Sequence, residues 1–169
     1  MDLLERFSSF RLWKNRGCKS FIRKHLRGGA SAMGYHFFFR RGKPREYLWE
    51  TERIYCDGEY TIVLTRYPFP FRRYLACLGF DISAHGVVSV VQIQGVRGKQ
   101  EELRLLRWDR MLLEMLITFA RDSGFTEVRV QSSRENRWAK GKNHLRYDVL
   151  PKRMGFTMGT THHVLPLET

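Results

Sequence analysis

Residues 87–93, VVSVVQI, are the most restrictive stretch of the 169-residue chain. Val87, Val88, Val90, Val91 and Ile93 form a nearly continuous apolar run. A strand apolar on both faces has to be covered on both, so this one is expected at the centre of a sheet. The next forty residues decide how that sheet is built. A polar loop, 96–102, leads into the strongest helical pattern in the chain, 105–123. There Arg107, Arg110, Glu114, Thr118 and Arg121 recur every three or four residues, while Leu105, Leu112, Leu116, Phe119 and Ala120 point the other way. Gly124 ends the helix as a left-handed cap, and 126–132 alternates at Val128 and Val130 as a strand. Strand, crossing helix and strand then make one unit, with the two strands adjacent and a right-handed connection if they are parallel.

The remaining segments place this unit in a larger sheet. Residues 35–40, 47–56, 60–65, 74–80 and 86–94 are rich in aromatic and β-branched residues and are separated by turn signals such as Asp57-Gly58 and the prolines at 68 and 70. After the unit come a polar connection at 133–146, a short helix at 147–154 capped by Gly155, and a last strand at 156–165. The fold class expected is α/β, with a mixed, mostly antiparallel central sheet flanked by helices. Ahead of the sheet, Leu3, Leu4, Phe7, Cys18, Phe21, Ile22 and Leu26 recur at helical spacing with cations between them, up to Gly28 and Gly29. The chain therefore divides into a basic amphipathic helical arm, 1–34, and a single α/β domain, 35–169. Docking on the domain is the expected use of the arm's apolar stripe, in preference to a membrane or a nucleic acid.

Composition limits the function classes. With 43% apolar and 14% aromatic residues the chain can build a core, which excludes wholesale disorder. Arginines interrupt every hydrophobic run, so no stretch reaches the ~18 apolar residues of a spanning helix. Asp2 and Glu5 among early cations do not read as a signal peptide, and a cytoplasmic location is expected. Cys18, Cys56 and Cys77 are odd in number and far apart, which reads as buried free thiols. His162 and His163 are adjacent on a strand and face opposite ways, so no metal is expected. The net charge of +13 is uneven: residues 1–45 hold twelve Lys or Arg against Asp2 and Glu5. Arginine outnumbers lysine by twenty-two to eight, which suits bidentate contacts to phosphate or carboxylate. A polyanionic partner and a merely solvated basic surface are both open readings.

A central strand, a cationic loop and a long helix whose N-terminus faces that loop make an anion site, because helix N-terminal amides favour phosphate. Arg97, Lys99, Arg104 and Arg107 would add charge. At this point the sequence resembles the GCN5-related N-acetyltransferase family. The resemblance lies in the order of three pieces within 86–156: VVSVVQIQG at 87–95; RLLRWDRMLLEMLITFARDSGF at 104–125 followed by VRVQSS; and Asn136 to Ala139 with YDVLPKRMGF at 147–156. It implies a GNAT-like fold, an acyltransferase using acetyl-CoA or another acyl-CoA as cosubstrate, and a small-molecule or peptide amine as acceptor. It also implies cofactor binding by Gln92, Ile93 and Gln94 on the strand and by Arg104, Arg107, Asp109 and Arg110 at the start of the helix.

The family's coenzyme loop reads Gln or Arg, two residues, Gly, any residue, then Gly or Ala. Aligned on Leu112, Arg104 takes the first place, but Arg107 and Asp109 stand where the glycines let backbone amides approach phosphate. A second register, Gln92, Gly95 and Arg97, supplies one glycine. For catalysis, the family's acidic tyrosine falls at Pro151. Tyr147, one turn earlier, is the candidate acid, and Glu101, with Glu102 beside it, the candidate base. A core ring at Tyr147 and a solvated carboxylate at Glu101 are the plain alternatives. The rival function class is a non-catalytic protein of this fold or a basic nucleic-acid-binding protein. Trp13, Phe21, Phe37 to Phe39, Arg40 and Arg41 interleave aromatics with cations as base stacking and phosphate contact require.

Overall fold

A computed structural model describes residues 5, 17–28, 31, 34–41, 56–67, 73–136, 139 and 144–168. Its strands are β1 (Tyr35–Arg41), β2 (Tyr60–Arg66), β3 (Arg73–Ile82), β4 (Val87–Gly95), β5 (Glu127–Gln131), β6 (Thr157–Met158) and β7 (His162–Pro166). They form one sheet in the order β1-β2-β3-β4-β5-β7-β6, with β4 at its middle. Every pairing is antiparallel except β4 with β5, which is parallel. The helices are α1 (Gly17–His25), α2 (Gln100–Arg104), α3 (Trp108–Asp122) and α4 (Leu150–Arg153), the last preceded by a π-helical turn at Leu145–Val149. The expected mixed, mostly antiparallel α/β architecture is what the chain adopts.

Sheet and helix meet through the residues the periodicity singled out. Ile62, Leu64, Leu78, Phe80, Val88 and Val90 share one core cluster with Leu112, Leu116, Phe119 and Ala120 of α3. Gly124, at φ +74°, ends that helix as a glycine free of the left-handed penalty. A smaller cluster of Cys56, Val63, Cys77 and Val96 lies across the sheet. Cys56 and Cys77 are buried free thiols. Gly79 admits Cys56, because a Cβ there would fall 2.0 Å from the cysteine Sγ.

Four expectations need correction. The helix expected over 105–123 begins only at Trp108, because the chain breaks at Arg107 (φ −87°, ψ 58°), and residues 100–104, mostly expected as polar loop, wind into the separate helix α2. Leu105 is consequently 41% exposed, and Leu106 takes the inward place. β4 is not evenly covered, since Val87, Ser89 and Val91 are only half-buried. A bulge causes part of this: Gly79 faces Gln92 but Phe80 faces Val90, leaving Val91 as an extra residue that reverses the inward phase from Val90 to Ile93. Finally, 156–165 is a hairpin of two strands, β6 and β7, closed by the Gly159 amide on the His162 carbonyl at 2.8 Å. The strand expected over 47–56 lies, except for Cys56, outside the described residues, as do Leu3, Leu4, Phe7, Trp13 and the Cys18 side chain.

Within the arm, α1 lays Phe21 and Ile22 into the main core, with Leu26 packed against it. His25 is also buried, its Nε2 3.1 Å from Glu114 of α3. Among the described residues no helix is long and apolar enough to cross a membrane.

Candidate active site at the end of the central strand

β4 and β5 pair only from Val87 with Glu127 to Val90 with Val130, and beyond that they part. The freed edge of β4 needs other hydrogen-bond partners, because buried backbone groups are costly to leave unpaired. Side chains remote in sequence provide them. The Ile93 amide donates to the Tyr147 hydroxyl at 3.0 Å. Asn136, itself buried, donates its Nδ2 to the Val91 carbonyl at 2.8 Å and to Gln131 Oε1 at 3.2 Å.

Tyr147 is 1% exposed, and burial pushes its phenol pKa up, so it is a neutral proton donor at ordinary pH. It sits on the π-helical turn, whose wider winding redirects side chains relative to an α-helix. That turn is clasped by Asp148, which accepts hydrogen bonds from the Ser133 amide (3.0 Å) and the Ser133 hydroxyl. Asp148 also lies 3.2 Å from Nε2 of the buried His163 on β7. Burial opposes ionisation of Asp148, but the bonds from Ser133 and His163 outweigh it and hold the carboxyl below its usual range.

A cleft of about 420 Å³ opens at the C-terminal end of β4. Its lining includes Gly95, Arg97, Arg104, Trp108, Asp109 and, from remote parts of the chain, Arg27 and Arg146. Four guanidinium groups therefore face one carboxylate. The Arg146 guanidinium lies 4.9 Å from the centre of the Trp108 ring, a cation–π distance. Gly95 is needed for packing: a Cβ there would come within 2.8 Å of Leu103 Cδ1 and 3.3 Å of Trp108.

The residues singled out in the sequence fall into separate places. Arg104 and Asp109 line the cleft, whereas Arg107 is exposed outside its lining and Arg110 is bound to Glu114 at 2.6 Å. Amides near the start of α3 are already taken. The Arg107 N–H donates to the His25 carbonyl at 2.9 Å, and the Arg110 N–H donates to Asp109 Oδ1 at 2.8 Å. Ile93 is at the parting of the strands. The Gln92 side chain instead bonds Gln94 (2.7 Å) and the Asp57 amide (3.0 Å). Glu101 is exposed on α2 and absent from the cleft lining, and Glu102 is paired with Arg66 at 2.8 Å. Sequence reasoning missed Arg27, Trp108 and Arg146 as lining residues. Arg146 had one signal, its place directly before Tyr147; Arg27 had none, because only the folding back of the arm brings it there. His163 is buried beside Asp148 and its neighbour His162 is half-buried; among the described residues no three His, Cys, Asp or Glu converge.

No protein-family model matches the sequence, and a comparison with curated proteins gives no match. Among solved structures, the chain is similar to the ribosomal-protein-S18-alanine N-acetyltransferase from Escherichia coli. The similarity has a TM-score of 0.46 and 16% identity, over 64% of this chain and 69% of that one.

Proposed function

We propose that the protein is an N-acyltransferase that takes an acyl-coenzyme A, with the coenzyme phosphates in the arginine-lined cleft and the reacting end where β4 and β5 part. One arrangement carries the reading. Arg27, Arg97, Arg104 and Arg146 converge at the C-terminal end of β4, and Ile93 and Tyr147 lie just behind, where Gly95 and Arg146 run from the cleft into the core. Guanidinium groups suit phosphate better than ammonium does, and here they stand in for the glycine-framed amides that Arg107 and Asp109 displace.

Bound acyl-coenzyme A would supply the activated acyl group. The chain's own part is to orient and to hold protons. The Ile93 amide now donates to Tyr147, and the same amide can donate to an acyl oxygen placed there. Released from that bond, the neutral phenol of Tyr147 would protonate the thiolate as the C–S bond breaks, and the proton shed by the acceptor nitrogen as the C–N bond forms would restore the phenol. The acceptor is a small-molecule or peptide amine. Thermal unfolding with acetyl-coenzyme A, longer acyl-coenzyme A and desulfo-coenzyme A tests the reading. A ligand at 100 times its Kd stabilises by ~2.7 kcal/mol, and Arg104→Ala should weaken binding roughly ten- to hundred-fold, the range of one charge-assisted hydrogen bond. No shift with any of the three would remove the acyltransferase reading.

One observation favours the rival, a nucleic-acid binder: Arg23 and Lys24 are exposed on the same helix that delivers Arg27 to the cleft. An affinity for RNA or DNA that falls ~10³-fold or more between 50 and 200 mM salt would favour it.

A further inference from the structure

The end of the arm is built into the wall of the cleft. Residues 25–27 run antiparallel to 105–107: the Arg27 amide donates to the Leu105 carbonyl and the Arg107 amide to the His25 carbonyl, each at 2.9 Å, and Leu26 bridges Leu106. Below this short ladder Phe21 and Ile22 are buried in the core, and His25 reaches Glu114. The segment so pinned, 105–107, joins α2 to α3 and carries Arg104 at one end and Trp108 and Asp109 at the other, all three lining the cleft. The Arg27 side chain is exposed and lines the same cleft, so nothing in the core requires its guanidinium.

We propose that the basic arm is part of the ligand site: Arg27 is a binding residue for a phosphorylated ligand, and occupation of the cleft and docking of residues 17–27 reinforce each other. The proposal rests on the reading of the cleft as a phosphate site, though not on the ligand being a coenzyme A. Reciprocity follows from linkage, since a ligand that touches Arg27 binds the docked form more tightly and must stabilise docking by the same factor. The loss of one charge-assisted hydrogen bond corresponds to roughly a ten- to hundred-fold weaker Kd.

The test uses the full chain with two probes, inorganic pyrophosphate and coenzyme A, read by calorimetric Kd and by amide hydrogen exchange. Either probe should slow exchange at the Arg27 and Arg107 amides, which close the ladder. Arg27→Ala should raise the Kd ten- to hundred-fold while leaving the melting temperature of the free protein near that of wild type. Phe21→Ala, which loosens docking without touching the cleft, should also raise the Kd. If both probes bind Arg27→Ala as tightly as wild type, or bind without slowing the ladder amides, the proposal is overturned while the coenzyme A reading stands. If pyrophosphate binds through Arg27 but coenzyme A does not bind, the proposal stands and that reading falls. Binding of neither probe removes both.

Discussion

The two halves of β4 are held by different means. From Val87 to Val90 the strand has a neighbour on each side, β3 and β5, and its inward valines, Val88 and Val90, are fully buried on the helix α3. From Val91 onward β3 is the only neighbouring strand among the described residues, and single side chains take over, Asn136 on the Val91 carbonyl and Tyr147 on the Ile93 amide. A ladder is a continuous device that a ligand cannot enter, whereas side-chain acceptors can be exchanged one at a time for a ligand's own groups. The first half therefore carries stability, and the second is the place where binding is structurally possible.

The largest effect should come from damage beneath the first half. Phe119 of α3 is fully buried, with its ring 6.3 Å from that of Phe39 and 6.1 Å from that of Phe125. Phe119→Ala should cost about 3–5 kcal/mol, measured by urea unfolding, with amide protection lost throughout the sheet. A smaller and more local effect is expected at the second half. Tyr147→Phe removes the acceptor of a buried amide, at a cost of about 1–3 kcal/mol. Hydrogen exchange should quicken at Ile93 and stay unchanged at Val88 and Val90. Equal acceleration along the whole strand would mean that the two halves open together, and the distinction drawn between them would fail.

The same division explains what was legible in the sequence. The apolar run of β4, the helical face at Leu112, Leu116 and Phe119, and the Gly124 cap obey short periodicities, so local reading found them. The break at Arg107 escaped because its cause is remote: the arm's His25 carbonyl takes the Arg107 amide, and Leu106 rather than Leu105 turns inward against Leu26. In the candidate site, Asp109, Ile93 and Tyr147 were singled out by the resemblance to the GCN5-related N-acetyltransferases, and Arg104 by that resemblance and by the cationic loop. Arg27 and Arg146 reach the cleft only by tertiary folding; Arg146 is marked by nothing beyond its place directly before Tyr147, and Arg27 by no local pattern. Glu101 lies outside the cleft lining for a related reason: the loop expected to present it winds into α2 and leaves it exposed, as in the solvated alternative for this carboxylate.

The smallest effect concerns how the π-helical turn is kept against the parted half of the sheet. Asp148 joins that turn to Ser133, just after β5, and to His163 on β7. Its carboxyl is held below its ordinary value of 3.8 in the folded protein, so the folded state binds fewer protons than the unfolded chain as acid is added. The stability from the clasp is therefore complete above about pH 3.8 and is lost as pH falls through the lowered folded value. Asp148→Asn should lower the melting temperature at neutral pH, and the gap to wild type should narrow once the pH drops below that point. The exchange rate at Ile93 gives the local readout, because a loosened turn carries Tyr147 away from that amide. A gap that stays constant down to about pH 2.5, well below the ordinary carboxylate range, would show that the ionised carboxylate contributes nothing to the clasp, and the hold on the parted half would then rest on Tyr147 and Asn136 alone.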